Sequence, residues 1–170
     1  MDMLTWINSL SEAKVLAKLA EQKLHTFTQT TGKAPFDIVL LYKQKLFRIS
    51  VKGTWIKKNS NHAYTIQLKR VRHNKKVNII YPFDSNECDI LAVYICDIDK
   101  VCFMPAKLVG KNAINIRETN SNFSQTNWIV SEWEDVNKSL QYLEDSPNGG
   151  AVVLKTTDES HRGSTPLSSA

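Results

Sequence analysis

Residues 35–53 read PFDIVLLYKQKLFRISVKG. Apolar and polar residues alternate through the second half of this stretch, the period of a half-buried strand. Two strands, 36–42 and 46–53, joined by a tight turn at Gln44 and Lys45, set Ile38 against Val51, Leu40 against Ile49 and Tyr42 against Phe47 on one apolar face. The other face then carries Asp37 opposite Lys52, Val39 opposite Ser50 and Leu41 opposite Arg48. A slip of one residue would mix the two faces, which favours this register. Cross-strand neighbours lie roughly 5 Å apart, so Asp37, Ser50 and Lys52 are expected to stand together on the second face.

Working outward from this hairpin, residues 9–25 predict a helix, being free of Gly and Pro and rich in Ala, Leu, Lys and Glu. Ser9 and Glu12 have capping-box spacing at its start. Leu16, Leu19 and Ala20 share a side, and Glu12 projects from that apolar side, four residues before Leu16. A helix laid over the Asp37 face would bring Glu12 toward Asp37, Ser50 and Lys52. Two carboxylates and a backbone carbonyl, that of Val51, make a hard oxygen site suited to Mg²⁺, with Mn²⁺ expected to substitute. Such a metal polarises a phosphodiester and lowers the pKa of an attacking water. A neighbouring lysine can hold that water and stabilise charge on the phosphate. Each residue also has a purely structural reading: Glu12 as a capping glutamate, Asp37 as a loop cap, Lys52 as an edge-strand lysine. Ser50 is no candidate nucleophile, because His25, His62, His73 and His161 are scattered along the chain.

Residues 30–35 read as a loop, 54–61 as a loop or strand edge, and 62–70 and 76–81 as strands. CDILAVYICD and KVCFMPA form a second hairpin around Ile98 and Asp99, apolar enough to be central in a sheet. A second helix is expected over 131–144, opened by Ser131 and Glu134 and turning Trp133, Val136, Leu140 and Leu143 inward. Trp55 and Trp133 are read as packing residues. The chain from 146 to 170 reads as a flexible tail, and residues 1–145 as a single domain.

Charge is unevenly spread. The 170 residues carry a net charge of +5, but residues 33–83 hold 12 Lys and Arg against one acid, whereas residues 84–145 hold 5 against 11 acids. That polarity suggests a basic surface facing an anionic polymer. The candidates for DNA contact lie around 54–80: Lys57, Lys58, Thr65, Gln67, Lys69, Arg70, Arg72, Lys75 and Lys76. Lysines chiefly meet phosphates, while Arg and Gln can also read base edges. If YTIQLKRVR is one strand, Thr65, Gln67 and Lys69 share a face of it. No apolar run is long enough to span a bilayer, and the N-terminus lacks the basic region of a signal peptide, so a cytoplasmic protein is expected. There Cys88, Cys96 and Cys102 are expected to stay reduced and packed.

The stretches EAKVLAKL, PFDIVLLY and FRISVKG resemble the PD-(D/E)XK nuclease superfamily. Within it the chain is most similar, over Ser9 to Pro105, to the small homing endonucleases encoded in bacterial group I introns. The resemblance implies an α/β, restriction-endonuclease-like core with a mixed central sheet flanked by helices. It makes Glu12 the helix carboxylate, Pro35-Phe36-Asp37 the "PD" element with one residue inserted, and Ser50-Val51-Lys52 the (D/E)XK element. It implies Mg²⁺-dependent, sequence-specific hydrolysis of double-stranded DNA by a homo-oligomer, a dimer or tetramer, with no membrane or small-molecule partner. Ser50 departs from the pattern, being neutral where the superfamily places an acid. A Holliday-junction resolvase, a restriction-like nuclease and a silent DNA-binding protein are the alternative readings.

Overall fold

The computed structural model describes residues 2–55, 57–58, 63–73, 77–119, 128–146 and 152–153. In chain order its elements are α1 (Met3–Glu21), β1 (His25–Thr28), β2 (Ile38–Tyr42), β3 (Lys45–Thr54), β4 (Lys57–Lys58), β5 (Ala63–Gln67), β6 (Arg70–His73) and β7 (Asn78–Tyr81). There follow β8 (Ile90–Ile95), β9 (Lys100–Pro105), a 3-10 turn over Ala106–Leu108, β10 (Ala113–Arg117), β11 (Trp128–Ile129), α2 (Val130–Trp133), α3 (Val136–Asp145) and β12 (Val152–Val153).

The main sheet runs β1-β2-β3-β8-β9, and β12 pairs with the start of β3. It is mixed: β3 and β8 are parallel, while β1-β2, β2-β3 and β8-β9 are antiparallel. Side chains alternate through β8. Ile90, Ala92 and Tyr94 point into a core shared with Val15 and Leu19 of α1 and Val136, Leu140 and Leu143 of α3. Leu91, Val93 and Ile95 point the other way, into a core shared with Tyr64 and Ile66 of β5 and Ile114 and Ile116 of β10. These last belong to a small sheet, β11-β10-β5-β4. The molecule is therefore layered as helices, main sheet and small sheet. A strand buried on both faces must be apolar throughout, which explains the uninterrupted ILAVYI. Beneath it, buried Asp89 accepts from Arg48 N–H (2.7 Å), Nε (3.2 Å) and Nη2 (3.1 Å), tying the start of β8 to β3.

The β2–β3 hairpin keeps the expected faces but not the expected partners. Its turn is Lys43-Gln44, both with positive φ (47° and 61°), so Ile38 pairs with Ile49 and Leu40 with Phe47. Two consecutive left-handed residues match the twist of the flanking strands. Moving the turn back by one position shifts each partner by two, which preserves the inward set. Asp37 consequently does not face Lys52; its N–H donates to the Ile49 carbonyl (2.9 Å).

Both helices differ from expectation at their starts. Asp2 caps α1, accepting from Thr5 N–H (2.8 Å), so Ser9 and Glu12 lie inside the helix rather than in a capping box. α1 buries Ile7, Ser11, Val15 and Leu19, one residue per turn, and ends ahead of Lys23 (φ 58°). Leu16 is only half-buried and Ala20 exposed. The expected helix over 131–144 is two pieces broken after Trp133, because Asp135 caps α3 by accepting from Asn137 N–H (2.9 Å). Trp133 packs against the core shared with the small sheet, as expected, edge-on to Trp128 (centroids 4.8 Å apart). In the span read as a tail, Val152 and Val153 pair with Leu46 and Lys45.

Candidate active site

β2 begins at Ile38, paired with Ile49, whereas β3 runs on to Thr54 with β8 along its other edge. Beyond Ile49 no strand among the described residues pairs with the β2 side of β3. Backbone donors seldom stay unpaired, and here Asp37 supplies an acceptor: its Oδ2 takes the Val51 N–H at 2.6 Å. The divergence opens a cavity of about 170 Å³ whose walls include Glu12, Asp37, Ser50, Val51, Lys52 and Arg70. All of these but Arg70 belong to the motif elements.

α1 packs on the apolar face of the hairpin, opposite to the face expected, with Val15 and Leu19 against Ile38, Leu40 and Ile49. Glu12 therefore reaches the cavity from the flank of the helix, beside buried Ser11, and not from its apolar stripe. Gly53 permits this approach. A Cβ there would sit far inside contact with Ser11 Oγ and 3.1 Å from the Ile7 side chain. Ser11 Oγ is itself held on the Ile7 carbonyl (2.6 Å). The glycine following Lys52 thus lets the helix come close enough to deliver its carboxylate.

The cavity is electrostatically crowded. Burial, and then the charge of Asp37, raise the Glu12 carboxyl above its usual range. Burial lowers the Lys52 ammonium; Asp37 opposes that shift and Arg70 adds to it. A carboxylate whose charge is disfavoured by burial and by a second carboxylate leaves room for a cation between the two. Among the described residues no three His, Cys, Asp or Glu side chains are grouped as metal ligands. The available donors are Glu12, Asp37 and the carbonyl of Val51, an all-oxygen set that fits a hard divalent ion. Ser50 is buried and adds a hydroxyl but no charge. Cys88, behind it, is pushed up to about 12 by burial, so it remains a protonated thiol.

The expected DNA-contact residues do not form one strand. Chain pairing breaks after Gln67: β5 belongs to the small sheet, and among the described residues β6 pairs only with β7. Buried Leu68 marks the break, donating its N–H to the Asn112 carbonyl (2.9 Å). Thr65, half-buried, donates to Asn115 Oδ1 (2.7 Å); Gln67 and Lys69 are exposed. Arg70 lines the cavity, and its Nη2 pairs with Glu87 in the smaller cavity adjoining it. The backbones of Lys57, Lys58 and Arg72 lie in β4 and β6, but their side chains, and all of Lys75 and Lys76, fall outside the described residues. Trp55 packs against Trp6 (centroids 5.7 Å apart), as a packing residue should.

Asn8 and Glu87 are among the cavity residues that carry no motif signal. Asn8 lines the wall one helical turn before Glu12, and its i,i+4 spacing is the sequence clue to it. Glu87 lines an adjoining small cavity with Ser50, Lys52 and Arg70, and only the parallel pairing of β3 with β8 brings it there.

A family model described as PD-(D/E)XK endonuclease matches residues 7–135. The chain belongs to that family. The solved structure titled "The structure of a bacterial homing endonuclease: I-Ssp6803I" superposes with a TM-score of 0.67 over 83% of this chain and 95% of that one, at 13% identity. At that identity the likeness shows the fold. No curated protein sequence matches the chain at a significant level. This PD-(D/E)XK endonuclease is thus a nuclease by family and has the fold of a homing endonuclease. No helix among its described residues is long and apolar enough to cross a membrane.

Proposed function

We propose that this PD-(D/E)XK endonuclease is a divalent-metal-dependent enzyme that cuts both strands of a specific double-stranded DNA site, in the manner of a homing endonuclease. The observation that carries the reading is the convergence of Glu12, Asp37, Val51 and Lys52 on one cavity at the fork between β2 and β3. Glu12, Asp37 and the Val51 carbonyl would hold Mg²⁺, or Mn²⁺ in its place. When bound, the metal polarises the phosphodiester and acidifies the attacking water. Asp37 orients one carboxylate oxygen through its bond to Val51 N–H, leaving the rest of the group for the cation. Lys52 would hold the attacking water and stabilise charge on the phosphate. Burial lowers the pKa of its ammonium, which eases the loss of a proton. The exposed Gln67 and Lys69, with Lys57, Lys58, Arg72, Lys75 and Lys76, are candidates for contacting the flanking duplex. Cutting two strands requires two sites, so a symmetric homo-oligomer, a dimer or tetramer, is expected. Residues 1–145 would form the nuclease unit.

Ser50 favours a second reading, that of a protein which binds DNA and cleaves it slowly or not at all, because the neutral side chain removes one carboxylate from the metal's surroundings. A digest of duplex DNA carrying the bound site, with Mg²⁺ and with the chain or its Ser50→Glu and Ser50→Gln variants, separates the two. Cleavage abolished by Asp37→Asn supports the enzyme. Binding without cleavage by all three proteins leaves the silent binder standing.

A further inference from the structure

We propose that Arg70 is a phosphate-binding residue of the active cleft, held in place by Glu87. The proposal rests on the nuclease reading above and extends it to two residues outside the PD-(D/E)XK motif. Arg70 opens β6 immediately after the chain leaves the small sheet at Leu68, and it is half-buried rather than splayed into solvent. It lines the cavity that contains Glu12, Asp37 and Lys52, and also the smaller one behind Ser50. Its one described partner is Glu87, through Nη2. A guanidinium has five N–H donors in a planar fork, so one carboxylate contact fixes its direction and leaves donors for a phosphate.

The neutral residue at position 50 gives this arrangement its meaning. Ser50 and Arg70 share the walls of both cavities. A carboxylate at position 50 would compete for the guanidinium and neutralise it inside the cleft. With serine there, the motif cavity holds two carboxylates, Glu12 and Asp37, facing two cations, Lys52 and Arg70. Placing Glu87 behind Ser50 keeps Arg70 oriented without adding an acid to the metal's own cavity, since Glu87 does not line it. Once a divalent ion is bound, the cleft has a clear excess of positive charge for a phosphodiester. Arg70 then supplies at the scissile phosphate the fork-shaped neutralisation that a fuller acidic site would recruit by holding more metal. Glu87 is a positioning residue acting through Arg70.

The test uses a duplex recovered from a randomised DNA pool by the wild-type chain in Ca²⁺. Affinity is measured against salt in Ca²⁺, and single-turnover cleavage in Mg²⁺. Arg70→Ala should lower the salt slope of binding by about one and the cleavage rate by roughly 100-fold. Arg70→Lys should retain the slope but recover only part of the rate, because a point charge lacks the fork. Glu87→Gln should slow cleavage about tenfold with the slope unchanged, and should add nothing to Arg70→Ala. An Arg70→Ala chain with wild-type slope and rate overturns the proposal. So does a Glu87→Gln effect that persists undiminished without Arg70. Should Arg70→Ala fail to fold, Arg70→Lys cleaving at the wild-type rate overturns it equally. If the wild-type chain binds but does not cut, the nuclease reading fails alone, and the salt slope of Arg70→Ala still decides whether Arg70 meets a phosphate.

Discussion

The two hairpins of the main sheet, β2–β3 and β8–β9, are built to different rules. β8–β9 is closed on both faces: Leu91, Val93, Cys102 and Met104 enter one core, and Ala92, Tyr94, Val101 and Phe103 the other. β2–β3 gives only its Ile38, Leu40, Phe47 and Ile49 face to a core. Its second face holds Asp37, Ser50 and Lys52, and its strands have unequal lengths. The closed hairpin supplies rigidity and almost no chemistry. The open one supplies chemistry because its shorter strand stops, leaving a backbone donor that a carboxylate must satisfy. Each hairpin turn is also tied to a helix by an exposed pair, Lys43 to Glu144 (3.0 Å) and Lys14 to Asp99 (2.7 Å). Exposed pairs of this kind contribute little, so the difference between the hairpins lies in burial and in the fork.

The comparison breaks most sharply at Asp37. Asp37→Asn keeps an oxygen acceptor for Val51 N–H and should leave the melting temperature near that of the wild type. Cleavage should fall about 10⁴-fold, or about 5.5 kcal/mol of barrier, because the metal loses a charged ligand. A large loss of stability instead would make Asp37 structural first. The opposite signature belongs to the closed hairpin. Phe103→Ala removes a fully buried ring and should cost about 4 kcal/mol in denaturant unfolding. What folded protein remains should cut at the wild-type rate, as measured against the folded fraction.

A smaller effect joins stability to the site. Gly53→Ala drives a methyl group into Ser11 Oγ. A cost of about 1–3 kcal/mol is expected, together with slower cleavage as α1 carries Glu12 outward. Adding Ser11→Ala removes the clashing hydroxyl and should restore most of both. Rescue of stability without rescue of cleavage would mean that α1 does not set the position of Glu12.

These residues also show what was legible beforehand. The strand period of two put Asp37, Ser50 and Lys52 on one face for a two-residue turn at either position, so the site's composition survived an error in its register. The error arose at Lys43-Gln44, where two left-handed residues form the turn with no Gly or Asn to announce it. The uninterrupted apolar run of β8 signalled a central strand because burial on both faces leaves no polar positions. Helix starts were harder to place. Ser9-x-x-Glu12 and Ser131-x-x-Glu134 both have capping spacing, but the caps are Asp2 and Asp135. Spacing offers a cap, and tertiary contacts choose among the offers. Arg70 was visible only as one more cation in a basic run. Its turn into the cleft depends on where β5 ends and on the pairing of β3 with β8, neither of which is written in local sequence.

The smallest predicted effect concerns Glu12 and has the most specific sign. Its carboxyl is raised above the ordinary 4.5 by burial and by Asp37, so the fold disfavours its charged form. That unfavourable contribution is fully present above the folded pKa, shrinks as pH falls through it, and is gone below the unfolded pKa. Glu12→Gln without metal should therefore melt slightly above wild type at neutral pH, and the two should converge in acid. Glu12 stands at the exposed rim, so solvent screening holds the difference well under about 1 kcal/mol. Metal should reverse the order. A bound cation stabilises the folded wild type by mass action, and the variant, lacking a ligand, should gain less. Thermal melts of both proteins with and without Mg²⁺, at neutral and acid pH, check this crossing. An absence of crossing would mean that Glu12 is crowded for some reason other than holding a cation. Asp99 in the closed hairpin is the counterpart: the hydrogen bonds from Lys14 and Tyr94 lower its pKa. Its small stabilising contribution is present above the unfolded pKa and lost as pH falls through the folded value, and Mg²⁺ should leave it unaltered. One carboxylate is then strained until a metal arrives and the other is satisfied from the start, which is the difference between the two hairpins expressed in single residues.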